Sequence, residues 1–226
     1  MGDALKAVQY GDADVMITGG TGSFGNAVLD RFLSTDVREI RIFSRDEKKQ
    51  EEMRLALNDD KLKFYIGDMR DYDSIHQAMK GVDYVFHAAA LKQVPSCEFY
   101  PLEAVRTNII GAENVMSAAI ANDVNKVIAL STDKACNPVN LYGATKLCSD
   151  KLFIAGNAYV GREDTLFSVV RYGNVVGSRG SVIPYFMKFK NNGYLPITDP
   201  NMTRFWITLK QAVEFVLHCL EVMCGG

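Results

Sequence analysis

The chain has 226 residues, 48% of them apolar, long enough for one large domain or a domain plus a fragment and ample for a buried core. A formal net charge of −2 gives none of the positive excess that draws a protein to nucleic acid or an anionic membrane surface. Cys97, Cys136, Cys148, Cys219 and Cys224 form an odd, scattered set without a CxxC pair, which suits reduced thiols and neither a disulfide framework nor a zinc site.

MGDALKAVQYGDADV, at the start, carries acids and no apolar stretch, unlike a secretory signal. Lys6 breaks the myristoylation pattern, and no apolar run approaches the roughly 18 residues that span a bilayer. A cytoplasmic protein without membrane contact is expected. His76, His87 and His218 lack metal-ligand spacing, so no metal is expected.

From Asp14 onward strand-like and helix-like segments alternate. DVMIT (14–18) is a short apolar run, and FGNAVLDRFL (24–33) follows with Phe24, Val28, Leu29 and Phe32 on one helical face. EIRIF (39–43) reads as a strand, and DEKKQEEMRLAL (46–57) as a charged surface helix with one apolar edge. LKFYIG, VDYVFHAAA, KVIALST and LFSVVRYGNVV supply four more β-branched or aromatic runs with helical stretches between them. This alternation predicts an α/β fold, a parallel sheet covered by helices on both faces. There is no internal repeat, low-complexity tract or Pro/Gly linker.

TGGTGSFG (18–25) sets Gly19, Gly22 and Gly25 three apart between the first strand and the first helix. Gly19 suits a tight turn, Gly22 a close approach of backbone to pyrophosphate, and Gly25 tight helix–strand packing; the helix N-terminus then offers N–H groups to the phosphates. Thr21, Ser23 and Phe24 are the loop's other candidate cofactor contacts. The end of the second strand separates the two dinucleotides. NAD sites want a carboxylate there, NADP sites positive charge and hydroxyls. Ser44 and Arg45 occupy that place, while Asp46 falls late and suits capping of the next helix. The expected cofactor is NADP.

KVIALST ends in Ser131 and Thr132, so Asp133 and Lys134 follow at the carboxyl edge, where an open α/β sheet binds ligands. YGATK then opens a helix with Tyr142 and Lys146 on one face. The ammonium is expected to lower the phenol's pKa, so that Tyr142 can take a proton from a substrate hydroxyl. Cys136 has no neighbour demanding nucleophilic work and is read as inert.

TGGTGSFG, HAAA (87–90), LST (130–132), YGATK and RYGNVVGSRG (171–180) resemble the extended short-chain dehydrogenase/reductase family. LKFYIGD, HAAALKQVP, STDKACNPVNLYGATKLCSDKLF, RYGNVVGSRGSVIP and PITDPNMTRFW are similar to its nucleotide-sugar 4,6-dehydratases acting on UDP-N-acetylglucosamine, over about residues 14–226. The resemblance implies a doubly wound parallel Rossmann sheet carrying the cofactor and catalytic residues over 12–178, and a smaller C-terminal substrate region from 179 to 226. It also implies NADP used with no net redox change, a UDP-sugar substrate and a homo-oligomer. Family members run on past the end of this sequence, so the resemblance implies a truncated chain that folds and binds NADP but turns over the sugar nucleotide weakly or not at all.

By the same resemblance Tyr142 takes the O4 proton while C4 passes hydride to the nicotinamide, Asp133 is the acid at O6 and Lys134 is the base at C5. Thr132 and Lys146 complete the catalytic set. Many sugar dehydratases have Thr-Asp-Glu where this chain has Thr132-Asp133-Lys134. A lysine base must shed its proton and Asp133 must keep one, so a plain ion pair between them would oppose both roles. Asp68 and Met69 match positions near the adenine, and Ala88 and Ala89 line the backbone beside it. Tyr172, Asn174 and Val175 lie between nicotinamide and sugar. Lys92, Asn174 and Arg179 are the expected substrate contacts, and Asn108 is expected to orient a water or its own helix. Tyr142 and its surroundings resemble the branch that inverts C5, which implies a 4-keto-6-deoxy-L-arabino-hexulose product for pseudaminic acid and surface glycans; LKQVPSCEF (91–99), with Gln93, resembles the retaining branch. The rival readings are a retaining dehydratase, a UDP-hexose 4-epimerase, which needs no acid–base pair for loss of water, and a non-catalytic NADP-binding module.

Overall fold

A computed structural model describes residues 10–161, 164–177, 182–197 and 199–225. The chain runs β1 (Asp14–Thr18), α1 (Ser23–Leu33), β2 (Glu39–Ser44), α2 (Glu47–Leu57), β3 (Leu62–Ile66), α3 (Tyr72–Ala78) and β4 (Tyr84–His87). Two short helices follow, α4 (Val94–Phe99) and α5 (Pro101–Val105), then a π-helical turn (Arg106–Ile110) that leads into α6 (Gly111–Ala121). Next come β5 (Lys126–Thr132), a 3-10 turn (Asp133–Ala135), α7 (Leu141–Tyr159), β6 (Leu166–Tyr172), β7 (Asn174–Val175), α8 (Val182–Phe189), β8 (Trp206–Ile207) and α9 (Leu209–Val222).

Six strands make one parallel sheet in the order β3-β2-β1-β4-β5-β6. A strand buried on both faces reads as an unbroken apolar run, and DVMIT is buried at all five positions. Within it Val15 and Ile17 face one layer while Met16 faces the other. The first layer joins Ile40, Ile42, Phe86 and Ile128 to Val28, Leu29 and Phe32 of α1. The second joins Val85, Val127 and Phe167 to Ile75 of α3, Val115 of α6 and Phe153 of α7. This is the expected α/β, doubly wound arrangement. Chain order reverses between β1 and β4, so the loops leaving their carboxyl ends part and open a crevice between them.

The chain beyond β6 behaves in two ways. β7 and β8 form a separate two-stranded parallel pair, Asn174 opposite Trp206 and Val175 opposite Ile207, and α8 buries none of its side chains. α9, also past the expected boundary, returns to the sheet and places Val213, Val216, Leu217 and Leu220 in the same core as α1. Its start is fixed by a capping box between Thr208 and Gln211, and the Lys126 ammonium donates to the Leu220 carbonyl at 2.9 Å near its end. No helix among the described residues is long and apolar enough to cross a membrane.

If α9 is integral to the core, Leu220→Ala should destabilise the chain by about 2–5 kcal/mol, read from the urea midpoint. An unmoved midpoint would mean that the helix docks without stabilising the sheet.

Candidate active site

The crevice is a cleft of about 810 Å³ at the carboxyl edge of the sheet. Its floor is the loop between β1 and α1. Gly22 N–H donates to the Gly19 carbonyl at 2.9 Å, which closes the turn, and the Asn26 amide donates to the Gly22 carbonyl at 2.8 Å, which ties the loop to the helix. A Cβ on Gly25 would lie 2.5 Å from the Gly20 Cα, backbone that cannot yield, so only glycine lets α1 press this closely on the loop. Gly22 caps α1 without a side-chain hydrogen bond, which leaves the first-turn N–H groups open to the cleft.

Ser44 and Arg45 stand at the cleft wall where β2 ends. The Ser44 hydroxyl meets the Thr21 hydroxyl at 3.0 Å, and Arg45 Nη1 meets Asp68 Oδ2 at 3.3 Å. Burial works against the Asp68 charge, but hydrogen bonds from Arg70 and the charge of Arg45 outweigh it and hold the carboxyl below its ordinary range. Asp46 caps α2, accepting from Lys49 N–H at 3.0 Å.

Across the cleft, α7 begins at an Asn140 cap whose side chain accepts from Gly143 N–H at 2.9 Å. A Cβ on Gly143 would sit 2.2 Å from the Lys134 carbonyl oxygen, so α7 reaches the 133–135 turn only because that residue is glycine. The contact sets Tyr142 near Thr132, whose side chain favours the phenolate. The Thr132 hydroxyl also donates to Asp133 Oδ1 at 3.0 Å, and Lys134 Nζ donates to Asp133 Oδ1 at 3.0 Å and Asn174 Oδ1 at 2.9 Å. Asp133 and Lys134 therefore form the ion pair that the sequence reading found awkward.

The expected lowering of the Tyr142 phenol is not what this arrangement gives. Burial pushes it up to about 12, with the Thr132 hydrogen bond opposing. Lys146 is 3% exposed, and burial draws it down to about 8, with Asp150 opposing. Both groups lose hydration on ionising, and that loss exceeds what Thr132 returns to Tyr142 and Asp150 to Lys146.

All other expected cofactor contacts, Gly19, Thr21, Ser23, Phe24, Met69, Ala88, Ala89, Tyr172 and Val175 included, line the cleft, as do Thr132, Lys134, Tyr142, Lys146, Asn174 and Lys92. Phe24 and Tyr172 stack at 5.8 Å. Asp133 is the exception: it touches the cleft wall only through Thr132 and Lys134. Arg179 lies outside the described residues. Asn108, on the π-helical turn, clamps Leu91 through both N–H and carbonyl at 2.8 Å and donates to Thr145 at 3.0 Å, so it binds the segment after β4 to α7.

Thr107, Ser131 and Lys49 are among the cleft residues not expected as contacts, though Ser131 is expected at the carboxyl edge. The Thr107 and Ser131 hydroxyls are buried, line the cleft and have no hydrogen-bond partner, which leaves them for a ligand. Lys49 also lines it beside Arg45. Its signal was the basic residue in the first turn of α2. Among the described residues no cluster of His, Cys, Asp and Glu could hold a metal.

Comparison with known proteins places residues 15–226 within a polysaccharide biosynthesis protein family. A relative named UDP-glucose 4-epimerase from Rickettsia bellii is 62% identical over 215 residues, 93% of this chain and 63% of its own length. The chain thus spans somewhat less than two thirds of that relative. Pen from Bacillus thuringiensis has a similar structure, TM-score 0.93 at 42% identity, covering 97% of this chain and 70% of that one. DesIV from Streptomyces venezuelae, a dTDP-glucose 4,6-dehydratase with NAD bound, superposes with TM-score 0.82 at 22% identity, covering 92% and 71%, and shares the fold.

His87 Nδ1 lies 2.8 Å from the Thr18 hydroxyl inside the core, and burial, aided by the Lys146 charge, draws its pKa down to about 3. The unfolded chain binds the proton more tightly, so this contribution to stability is complete above about pH 6.5 and lost as pH falls toward about 3. His87→Gln should flatten that part of the urea-midpoint profile. Identical profiles for the two proteins would assign the acid loss to other groups.

Proposed function

The chain belongs to the polysaccharide biosynthesis protein family, and on that premise we propose that it carries the cofactor site and catalytic residues of an NADP-dependent UDP-N-acetylglucosamine 4,6-dehydratase. The observation that carries the reading is the Asp133–Lys134 pair at 3.0 Å, hydrogen-bonded to Thr132 and close to Tyr142. Epimerisation at C4 removes and returns one hydride and one hydroxyl proton, for which Tyr142 and Lys146 suffice. Loss of water across C5 and C6 needs a further base and acid, and a paired lysine and carboxylate beside the tyrosine supply them.

The residues present suit a dinucleotide. The open N–H groups of α1 would take the pyrophosphate, Ser44, Arg45 and Lys49 the 2′-phosphate, and the unpartnered Thr107 and Ser131 hydroxyls a buried polar edge. Such a cofactor supplies reversible acceptance of hydride from the sugar. Tyr142 takes the O4 proton, which the positive end of the cofactor and Lys146 make easier against the phenol's burial. Lys134, the pair's member on the cleft wall, takes the C5 proton, and Asp133 delivers one to the departing C6 hydroxyl. For that the proton shared across the 3.0 Å contact must sit on Asp133 and its side chain must turn toward the cleft. Substrate closing the site would expel water, which favours the neutral form of such a pair. Lys92, Asn174 and Arg179 are the proposed sugar-nucleotide contacts. Retention of Tyr142 favours inversion at C5, and the product would feed surface glycans such as pseudaminic acid. A cytoplasmic homo-oligomer is proposed on the family resemblance.

The second reading is 4-epimerisation, favoured by the name of the Rickettsia relative. Incubation with UDP-N-acetylglucosamine separates the two by mass, in this chain and in a version extended to the relatives' length. Loss of one water supports dehydration, and an isomer of unchanged mass supports epimerisation. NADP binding with no turnover in either version would favour a binding module.

Arg45→Asp should weaken NADP far more than NAD, by about ten- to a hundredfold for one charge-assisted phosphate contact. Equal loss for both would remove the 2′-phosphate assignment. Tyr142→Phe should spare folding and NADP binding while turnover falls. Lys134→Ala should cut exchange of the C5 hydrogen with deuterated water by about a hundred- to ten-thousandfold. Undiminished exchange would place the base elsewhere.

A further inference from the structure

Lys146 is buried, and a buried ammonium gives up its proton unless a counter-charge is at hand. Asp150 lies one helical turn further along α7 on the same face, its side chain 2% exposed. Arg171, at the end of β6, donates from Nε to Asp150 Oδ2 at 2.7 Å, and its Nη1 reaches Cys136 Sγ at 3.4 Å. One carboxylate oxygen is thereby held inside the core by a guanidinium that is itself 38% exposed.

We propose that Asp150 is a positioning residue for the candidate site, its carboxylate, oriented by Arg171, acting as the counter-charge that keeps Lys146 an ammonium. The inference rests on the reading of Lys146 as part of the catalytic set.

Burial draws Lys146 down to about 8, and Asp150 is the charge that opposes it. Other charged or titratable groups on the elements around α7 are committed elsewhere. His87 on β4 stays neutral near pH 7, and burial pushes Cys97 on α4 and Tyr172 on β6 upward, so these too are uncharged. Asp133 and Lys134 pair with each other, and Glu98 on α4 accepts the Leu141 N–H. Glu103 on α5 pairs with Arg70 and Arg106, and Glu113 on α6 accepts the Ser117 hydroxyl. A merely structural Asp150–Arg171 pair would fasten β6 to α7 and leave the Lys146 titration alone.

The test reads that titration directly, by NMR of the chain labelled at lysine Cε and aspartate Cγ, with Lys146 assigned through Lys146→Arg. Asp150→Asn should lower the Lys146 midpoint by about one unit, a roughly tenfold loss of proton affinity, while Asp150→Glu stays near the unsubstituted value. An unmoved midpoint in Asp150→Asn overturns the proposal. In the unsubstituted chain the Asp150 carboxyl resonance should step at the pH where Lys146 titrates, because coupled sites report each other. A flat Asp150 resonance through that range overturns it as well, even if Asp150→Asn does not fold. No turnover enters these measurements, so a failed dehydration assay and a failed inference remain distinguishable.

Discussion

Gly25 rests against Gly20 with room for a hydrogen and nothing larger: a methyl group would meet the Gly20 Cα at 2.5 Å and its carbonyl oxygen at 2.6 Å. That contact sets how α1 leaves the central strand, and much else is fixed by it. The helix axis, once set, carries Val28, Leu29 and Phe32 into the first core layer against Ile17 and Phe86. The open first turn of α1 then faces the gap between β2 and β4, the neighbours of β1 at the point where strand order reverses. Ser44 and Ala88 become opposite walls of one cleft because they terminate those two strands or follow them directly. A residue with a side chain at position 25 would move the helix, and the end of the cleft formed by its first turn would move with it.

A second close approach, Gly143 on the Lys134 carbonyl, shapes the opposite side of the cleft. It draws the start of α7 onto the turn after β5, so Thr132, Asp133, Lys134 and Tyr142 meet although they come from two elements. The site that results is electrostatically tense. Tyr142 and Lys146 are both buried enough that their charged forms are disfavoured, and His87 beneath them is neutral. In such a place one bound positive charge or one buried carboxylate changes proton affinities more than it would at the surface. This is why the wall behind Lys146, and not only the wall facing the cleft, bears on what the site can do.

Much of this was legible in the sequence because it is local. Strand runs such as DVMIT and KVIALST, the glycine spacing and the cap-forming position of Asp46 each depend on a few adjacent residues. What escaped depends on tertiary distance. The apolar stripe of α9 announces a buried face without saying that it covers the sheet beyond residue 178. Thr107 looks like an ordinary helical residue, and the role expected of Asn108 gave no hint that it would clamp Leu91; both lie on the π turn, one reaching the cleft and the other Leu91. The one-turn spacing of Tyr142 and Lys146 suggested an ammonium that activates a phenol, but spacing says nothing of burial, and burial decided the direction.

The fold does not choose between the two proposed reactions, since DesIV shares it at 22% identity and function resides in sites grafted on folds. The choice narrows to the turn after β5. There the Asp133 carboxylate accepts from both Thr132 and Lys134, while Lys134 also donates to Asn174. Three hydrogen bonds are a large investment in two side chains that a C4 epimerase would not need for its chemistry. They also explain how the pair could serve as acid and base despite touching. In an open, wet cleft the charged form is favoured, because water solvates both ends. With a sugar nucleotide in place and water displaced, that solvation is lost, and moving one proton across the contact leaves a neutral lysine and a neutral carboxylic acid. If the proposed dehydration holds, the ion pair of the resting protein would be the stored form of the acid–base pair, and substrate binding would convert it.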